Sequence, residues 1–328
     1  MSPSPTYSVV VPIHNEQESL RELHRRLGEV FSQLDGEAEA ILVDDGSTDL
    51  SYPLMLELHS RDPRFKVVQL SRNFGHQLAI TAGIDLAGGE AVVVMDGDLQ
   101  HPPELLLELA ARWRDGYDVV YGVMTARPEG WLKRMTARAY YRLLRRLASV
   151  EIAAAAGDFR LADRRVIEAF RAMPERNRFV RGMFAWLGYR QLAVPYEVPP
   201  RFAGRSKYTL RKMTRLAVDG LTGFSTAPLR LVLDLGFAVS VLSFLFGIAT
   251  LVSKFAGAFL VPGWLTIVLV TSFIGGIQLV VIGVVGEYVA RIYDEVKARP
   301  LYLVRELHGF EHERIARRTL PPAELPSP

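Results

Sequence analysis

Ala91-Val92-Val93-Val94-Met95-Asp96-Gly97-Asp98-Leu99-Gln100 is an apolar run that stops abruptly at two carboxylates. A Val-rich run bounded by polar residues reads as a strand buried on both faces, and residues i and i+2 of a strand point the same way. Asp96 and Asp98 therefore face one point just past the carboxyl end of that strand. Two acidic oxygens converging there suit a hard divalent cation that keeps part of its water and bridges a substrate's phosphates. The competing reading is a plain Asp-Gly turn, with Asp98 capping the helix that Pro102 and Pro103 begin. An Asp-x-Asp triplet alone does not decide between them.

The flanking chain repeats the pattern. Residues 7–11 form a short β-branched run, followed by Leu20, Leu23, Leu27 and Phe31 at helical spacing. Further strands are expected at 40–43, 66–70 and 118–123, with helices at 75–86 and 103–113. Strands alternating with helices imply an α/β fold with a mostly parallel sheet, right-handed crossovers and flanking helices. Ligands of such sheets sit beyond the carboxyl ends of the strands. Three polar clusters fall on that edge, at 12–16, 44–49 and 96–100. Neither a Gly-x-Gly-x-x-Gly sequence nor a Walker A sequence is present, which argues against a nicotinamide site and a P-loop ATPase.

The 328 residues are 49% hydrophobic with the excess after Leu229, so a globular part followed by a membrane part is expected. The lack of cysteine excludes disulfides, thiolate metal sites and cysteine nucleophiles. Residues 1–6 lack the regions of a signal peptide, so the globular part is expected in the cytoplasm. The net charge is only +3, but cations cluster at 127–146 and 201–215. These clusters fit anionic lipid or phosphate; no nucleic-acid motif accompanies them. Residues 131–147 read as a basic helix, either a solvated face or a helix at the bilayer surface. Helices are expected at 163–173 and 178–187, with Pro195, Pro199 and Pro200 marking irregular chain. Arg201, Arg205 and Lys207 flank Gly204 in a segment able to close over an anion, and 209–224 reads as an amphipathic interface helix.

Residues 229–255 and 264–288 are each long enough to cross about 30 Å of hydrocarbon, and the short connection makes them a hairpin. Arg211, Lys212, Arg215, Arg230, Arg291, Lys297 and Arg299 flank its open end against Lys254 near the turn. The positive-inside rule then places both termini in the cytoplasm. Asp234 and Glu287 are expected at the interfaces, and Gly275, Gly276 and Gly283 permit close helix packing. The chain divides into a catalytic part (1–200), an acceptor loop with juxtamembrane helix (201–228), two membrane helices (229–289) and a tail (290–328).

Five motifs carry a resemblance: Val10-Val11-Pro12-Ile13-His14-Asn15-Glu16, Val43-Asp44-Asp45-Gly46-Ser47-Thr48-Asp49, Asp96-Gly97-Asp98-Leu99-Gln100-His101-Pro102-Pro103-Glu104, Gly157-Asp158-Phe159-Arg160-Leu161 and Arg205-Ser206-Lys207-Tyr208. In this order, and with the hairpin, they resemble glycosyltransferase family 2, the inverting GT-A type. Within it they are similar to the polyprenyl-phosphate glycosyltransferases, the group of bactoprenol glucosyltransferases and dolichol-phosphate mannose synthases. The resemblance implies that Pro12, Asn15 and Glu16 line a nucleotide pocket and that Asp44 and Asp45 contact base and ribose. Asp96 and Asp98, with Gln100, would arrange Mg²⁺ or Mn²⁺ on the diphosphate. Arg127, Arg205 and Lys207, with Arg201, are candidates for the acceptor phosphate. Asp158 matches the family's proposed catalytic aspartate, acting as a base or as an orienting group, or else pairing structurally with Arg160. His14 and His101 read as hydrogen-bonded scaffolding beside the site.

The chain departs from the family at 153–156, where Ala replaces the usual Pro and polar residue. After Tyr121-Gly122 only Arg127 is present where two arginines are usual, so Arg134 or Arg138 is expected to supply the second contact. The implied activity is transfer of one hexose from a nucleotide sugar, UDP-glucose by preference, to undecaprenyl or another polyprenyl phosphate at the cytoplasmic membrane face. A homo-oligomer, with a tetramer as one form, is expected; nucleic acid is not a partner. The alternatives are another donor (GDP-mannose or UDP-amino-arabinose type), a processive polysaccharide synthase, and a silent scaffold. The synthase is disfavoured because Gln-x-x-Arg-Trp and further spans are missing from the sequence, the scaffold because the Asp96/Asp98 pair is intact.

Overall fold

The computed structural model of the chain describes residues 5–125, 156–197, 227–255 and 263–310. Strands β1 (Tyr7–Ile13), β2 (Ala38–Asp44), β3 (Phe65–Leu70) and β4 (Ala91–Val94) pair in parallel in the order β3-β2-β1-β4. Every residue of β1 and β4 is buried, as their unbroken apolar runs require. Alternation within β1 splits the core in two. Val9, Val11 and Ile13 pack with helix α1 (Leu20–Phe31) and helix α4 (Leu105–Arg114) on one face, and Val10 packs with helix α3 (His76–Leu86) on the other. Helix α2 (Ser51–Arg61) joins the first of these layers through Met55 and Leu58. Gly83 of α3 lies against β1, where a Cβ would meet the Val10 side chain, so helix and sheet approach closely.

The other half of the sheet differs from the expected one. Strand β5 (Val119–Met124) does not pair with β4. Strand β6 (Ala156–Asp163) lies between them, antiparallel to both, and strand β7 (Gln191–Tyr196) pairs in parallel with β5 at the edge. Strand β8 (Val304–His308), from the region read as a tail, lies antiparallel on β3. The result is a mixed eight-stranded sheet, β7-β5-β6-β4-β1-β2-β3-β8, mostly parallel as expected, with β6 and β8 alone running against the other strands among the described residues. β6 escaped notice because Asp158 and Arg160 on one of its faces are charged yet buried, which breaks the usual strand pattern. Pro195, taken as a mark of irregular chain, sits in β7 opposite Val123; an edge strand tolerates the missing N–H.

After β6 come helix α5 (Arg164–Ala172), capped by the Asp163 carboxylate on the Arg165 N–H, and helix α6 (Val180–Trp186). Helices α7 (Ala227–Phe255) and α8 (Trp264–Val296) follow, the latter running past residue 288. Among the described residues one segment, Phe273–Val296, is long and apolar enough to cross a membrane by length and composition. The apolar stretch in α7, Val232–Phe246, is shorter, so a two-helix hairpin is not established. Glu287 pairs with Arg291 one turn on, at 2.9 Å. The basic helix at 131–147, the interface helix at 209–224, Ala153 to Ala155, and Arg127, Arg134, Arg138, Arg201, Arg205 and Lys207 lie outside the described residues.

Candidate active site

The chain runs from β1 outward through β2 to β3, then returns to place β4 on the other side of β1. Such a switch point opens a crevice at the carboxyl edge. Pro12 helps to open it. The Met95 N–H donates to the Val10 carbonyl at 3.1 Å, and Pro12, on the same side of β1, has no N–H for the next rung. The ends of β1, β2 and β4 and the middle of β6 therefore surround one cleft.

On the β2 side the loops are tied together by side chains. Asn15 adopts φ 56°, in the left-handed region that Asn tolerates, and its Oδ1 accepts from the Thr48 N–H at 2.8 Å. The Asn15 N–H donates to Ser47 Oγ (3.1 Å) and the Glu16 N–H to Ser51 Oγ (2.9 Å). Asp44 is fully buried; Oδ1 accepts from the Ser47 N–H at 3.1 Å, while Oδ2 is buried with no hydrogen-bond partner. An orphaned carboxylate oxygen at a crevice is an acceptor waiting for a donor, such as a uracil N–H or a ribose hydroxyl. Asp45 does something else. Its carboxylate accepts from the Phe74 N–H (2.7 Å) and the Gly75 N–H (3.0 Å), fixing the approach to α3. Burial pushes its pKa up, and those two N–H groups pull the other way. His14 donates from Nδ1 to the Asp45 carbonyl at 3.0 Å, the scaffolding role expected of it.

On the β4 side, Asp98 Oδ1 accepts from the Gln100 N–H at 3.1 Å. Asp98 thus forms a local Asx turn and does not cap α4, whose N-cap is Glu104. Leu99 takes φ 60°, and a Cβ on Gly97 would meet Ile13 Cδ1, so this turn is tight and strained. Asp98 and Gln100 are half-buried. Asp96 Oδ1 is buried and accepts no hydrogen bond; His76 Nε2 lies 3.4 Å from it.

Asp158 of β6 faces Asp96 across the cleft. His76 Nε2 stands 3.3 Å from Asp158 Oδ2, and one ligand atom each of His76, Asp96 and Asp158 falls within 4.8 Å of the others. Arg181 of α6 grips the Asp158 carboxylate with Nε and Nη2, at 2.7 and 2.9 Å. Burial alone would raise the Asp158 pKa, but the Arg181 charge and the His76 bond hold it well below the carboxylate range. His76 keeps a solvent-exposed edge; desolvation of the rest of the ring works against a charge on it, yet Asp158 and Asp96 raise its pKa to about 9. Arg160, the partner considered from sequence, is 4.0 Å from Asp158 Oδ1; its Nη2 donates to the Gly157 carbonyl at 3.0 Å and it lies over the Phe184 ring. Burial pulls Arg160 down to about 10, so it stays charged at neutral pH.

The structure thus gathers Pro12, Asn15, Glu16, Asp44, Asp45, Asp96, Asp98, Gln100 and Asp158 along one edge. Two participants were missed by sequence reasoning. His76 follows Gly75 at the opening of a helix on that same edge, a signal open to being read. Arg181 had none, because nothing local links it to β6.

A mixed sheet of this order, with acidic side chains at a β1/β4 switch point, is the architecture of the GT-A class of glycosyltransferases. The profile of glycosyl transferase family 2 matches residues 8–171, and the chain belongs to that family. It is 45% identical over 312 residues to the uncharacterized glycosyltransferase YkcC of Bacillus subtilis (strain 168), covering 95% of this chain and 97% of that protein. It is 37% identical to the SfII prophage-derived bactoprenol glucosyl transferase of Shigella flexneri, over 92% of this chain and 98% of that one. Among solved structures, glucosyl-3-phosphoglycerate synthase from Mycobacterium tuberculosis aligns at 18% identity with a TM-score of 0.44, covering 65% of this chain and 76% of that chain.

Proposed function

We propose that this glycosyltransferase moves a single hexose from a nucleotide sugar, UDP-glucose by preference, to undecaprenyl or another polyprenyl phosphate at the cytoplasmic membrane face, with inversion. The observations that carry the reading lie on the two sides of one crevice: Asp44 Oδ2, buried with no hydrogen-bond partner, and the cluster of His76, Asp96 and Asp158, whose ligand atoms lie within 4.8 Å of one another. Asp44 suits the nucleoside, with Pro12, Asn15, Glu16 and Asp45 shaping its pocket. Asp96 and Asp98 would hold Mg²⁺ or Mn²⁺, hard cations that take carboxylate oxygens; Asp158 and His76 lie within ligand distance of Asp96, and Asp98 stands outside that cluster. When bound, such an ion supplies charge neutralisation on the departing nucleoside diphosphate.

The acceptor phosphate is already ionised at neutral pH and needs no general base. Asp158, gripped by Arg181, fits that chemistry as an orienting anion. Its place across from Asp96 supports a role in aligning acceptor and sugar, and in-line alignment is where such a site gains most of its rate. Gln100 stands beside Asp98 as a further polar contact to the donor. Arg127, Arg138, Arg201, Arg205 and Lys207 remain the proposed contacts to the lipid phosphate.

The membrane part fits a lipid acceptor. Phe273, Leu279, Ile282 and Val289 are exposed on α8, the surface expected of a helix solvated by lipid. With α7 it would form the proposed two-helix hairpin, both termini cytoplasmic, and its glycines offer a route to a homo-oligomer such as a tetramer. The relative named as a bactoprenol glucosyl transferase supports the lipid and the sugar.

The test is to incubate membranes carrying the full chain with labelled UDP- and GDP-sugars and undecaprenyl phosphate, then to weigh the glycolipid. One hexose on the lipid, strongest from UDP-glucose and abolished by EDTA, is expected. A polymer, or no lipid product from any donor, overturns the proposal.

A further inference from the structure

We propose that His101 is a positioning residue that sets the Asp96/Asp98 turn for metal and holds that turn in register with Asp158. The inference rests on the reading of Asp96 and Asp98 as the metal carboxylates. The Asp96 N–H donates to His101 Nδ1 at 2.9 Å, closing the loop that contains both carboxylates. With Nδ1 accepting, the neutral ring carries its proton on Nε2, which faces Asp96 Oδ2 at 3.6 Å. One imidazole therefore addresses both the backbone and the carboxylate of Asp96.

The ring itself is held firmly. It is 2% exposed, stacks on Phe159 at 5.0 Å between centroids and 20° between planes, and meets the Tyr196 ring edge-on at 6.3 Å. Gly157 lies beneath it, where a Cβ would come 3.4 Å from Nε2. Gly157 and Phe159 are the neighbours of Asp158 in β6, so the same ring that fixes Asp96 rests on the strand that presents Asp158. The turn needs such support. Leu99 at φ 60° is unfavourable for a branched side chain and persists only where surrounding contacts over-determine it. Partners of this kind, one step removed from a metal, typically change its affinity by 10- to 100-fold when lost.

Two variants of the full-length protein in detergent separate this role from simple packing. His101→Phe keeps the stacked ring and loses the acceptor; His101→Asn keeps an acceptor at the Nδ1 position and loses the ring. The readouts are the melting temperature and the Mn²⁺ concentration that gives half-maximal UDP binding by calorimetry. The expected result is a crossed order. His101→Phe melts near wild type with the Mn²⁺ half-point raised about tenfold or more, whereas His101→Asn melts lower with a half-point nearer wild type. A half-point unchanged in His101→Phe, or one that tracks melting temperature in both variants, overturns the inference. Should His101→Phe fail to fold, a His101→Asn half-point shifted as far as that of His101→Ala overturns it equally, and one close to wild type upholds it. Wild-type protein that binds UDP equally well with and without Mn²⁺ would instead overturn the metal reading, and this inference with it.

Discussion

Arg181 lays its guanidinium fork across the Asp158 carboxylate, Nε 2.7 Å from Oδ1 and Nη2 2.9 Å from Oδ2, and the aspartate side chain is only 3% exposed. A bidentate pair on a buried acid fixes both its charge and its direction. It also makes Asp158 a weak proton acceptor, in keeping with the proposed phosphate acceptor, which needs no general base.

Breaking that pair from one side leaves a buried charge unmatched. Arg181→Ala is expected to lower stability by about 3 kcal/mol, the usual cost of stranding one member of a buried pair. Asp158→Asn together with Arg181→Ala should cost less than the sum of the two. Chemical unfolding of the four proteins measures the coupling, and strict additivity would argue against it. The pair also has a pH signature. The folded pKa of Asp158 lies below the ordinary 3.8, so its stabilisation is complete above that value and is lost as pH falls through the folded pKa. Wild type should therefore lose more stability than Asp158→Asn between about pH 5 and pH 2.

His76 titrates in the opposite sense. Its folded pKa, about 9, lies above the ordinary 6.5, so its contribution is full below pH 6.5 and fades as pH rises through about 9. The side chain is 42% exposed, so solvent screens the effect and only the direction is predicted. Melting curves of the metal-free protein from pH 6 to pH 10 should fall more steeply for wild type than for His76→Gln. Parallel curves would show that the ring is not held between the two carboxylates.

Asp96→Asn and Asp98→Asn each remove a charge from the proposed metal site while keeping the shape of the turn. Transfer is expected to fall by about 10²-fold or more, as for loss of electrostatic stabilisation of a leaving group. Membrane insertion should be unchanged in both, as should the melting temperature of Asp98→Asn, while Asp96→Asn melts slightly lower through its lost contact with His76. Full activity of either variant in EDTA would remove the metal from the scheme.

Gly46 has φ 65°, and a Cβ there would sit 2.6 Å from the Asn73 backbone nitrogen. Gly46→Ala is thus expected to cost about 1–3 kcal/mol and to weaken UDP binding, because the loop it displaces carries Asp44 and Asp45. Calorimetry and unfolding together test it; a variant with wild-type behaviour in both would show that this loop yields freely.

Tyr302, between α8 and β8, donates its hydroxyl to Asp85 Oδ2 at 2.8 Å. Burial and the nearby Asp85 charge push its pKa far above the ordinary phenol value. Tyr302→Phe is expected to cost about 1.5–3 kcal/mol, the worth of a hydrogen bond to a charged acceptor. Amide exchange should quicken in β8 ahead of β1. Equal protection in variant and wild type would show that the strand is held by its backbone pairing alone.

The parallel half of the sheet, its helices and the acidic edge were legible in the sequence, because each rests on short-range signals. Unbroken Val-rich runs made β1 and β4, helical spacing made α1, and carboxylates at strand ends marked the crevice. The insertion of β6 between β4 and β5, the edge strand through Pro195 and the return of β8 to β3 were not. Strand pairing between segments far apart in the chain leaves no local periodicity, and β6 hides its strand character behind Asp158 and Arg160, two charges buried by their partners. The same reason separates the site residues. Asp44, Asp96 and Asp98 announce themselves in sequence at the ends of apolar runs. That Asp158 is clamped by Arg181 and touched by His76, and that His101 joins the Asp96 turn to β6, was decided only when the packed sheet and helices brought these side chains within hydrogen-bond reach.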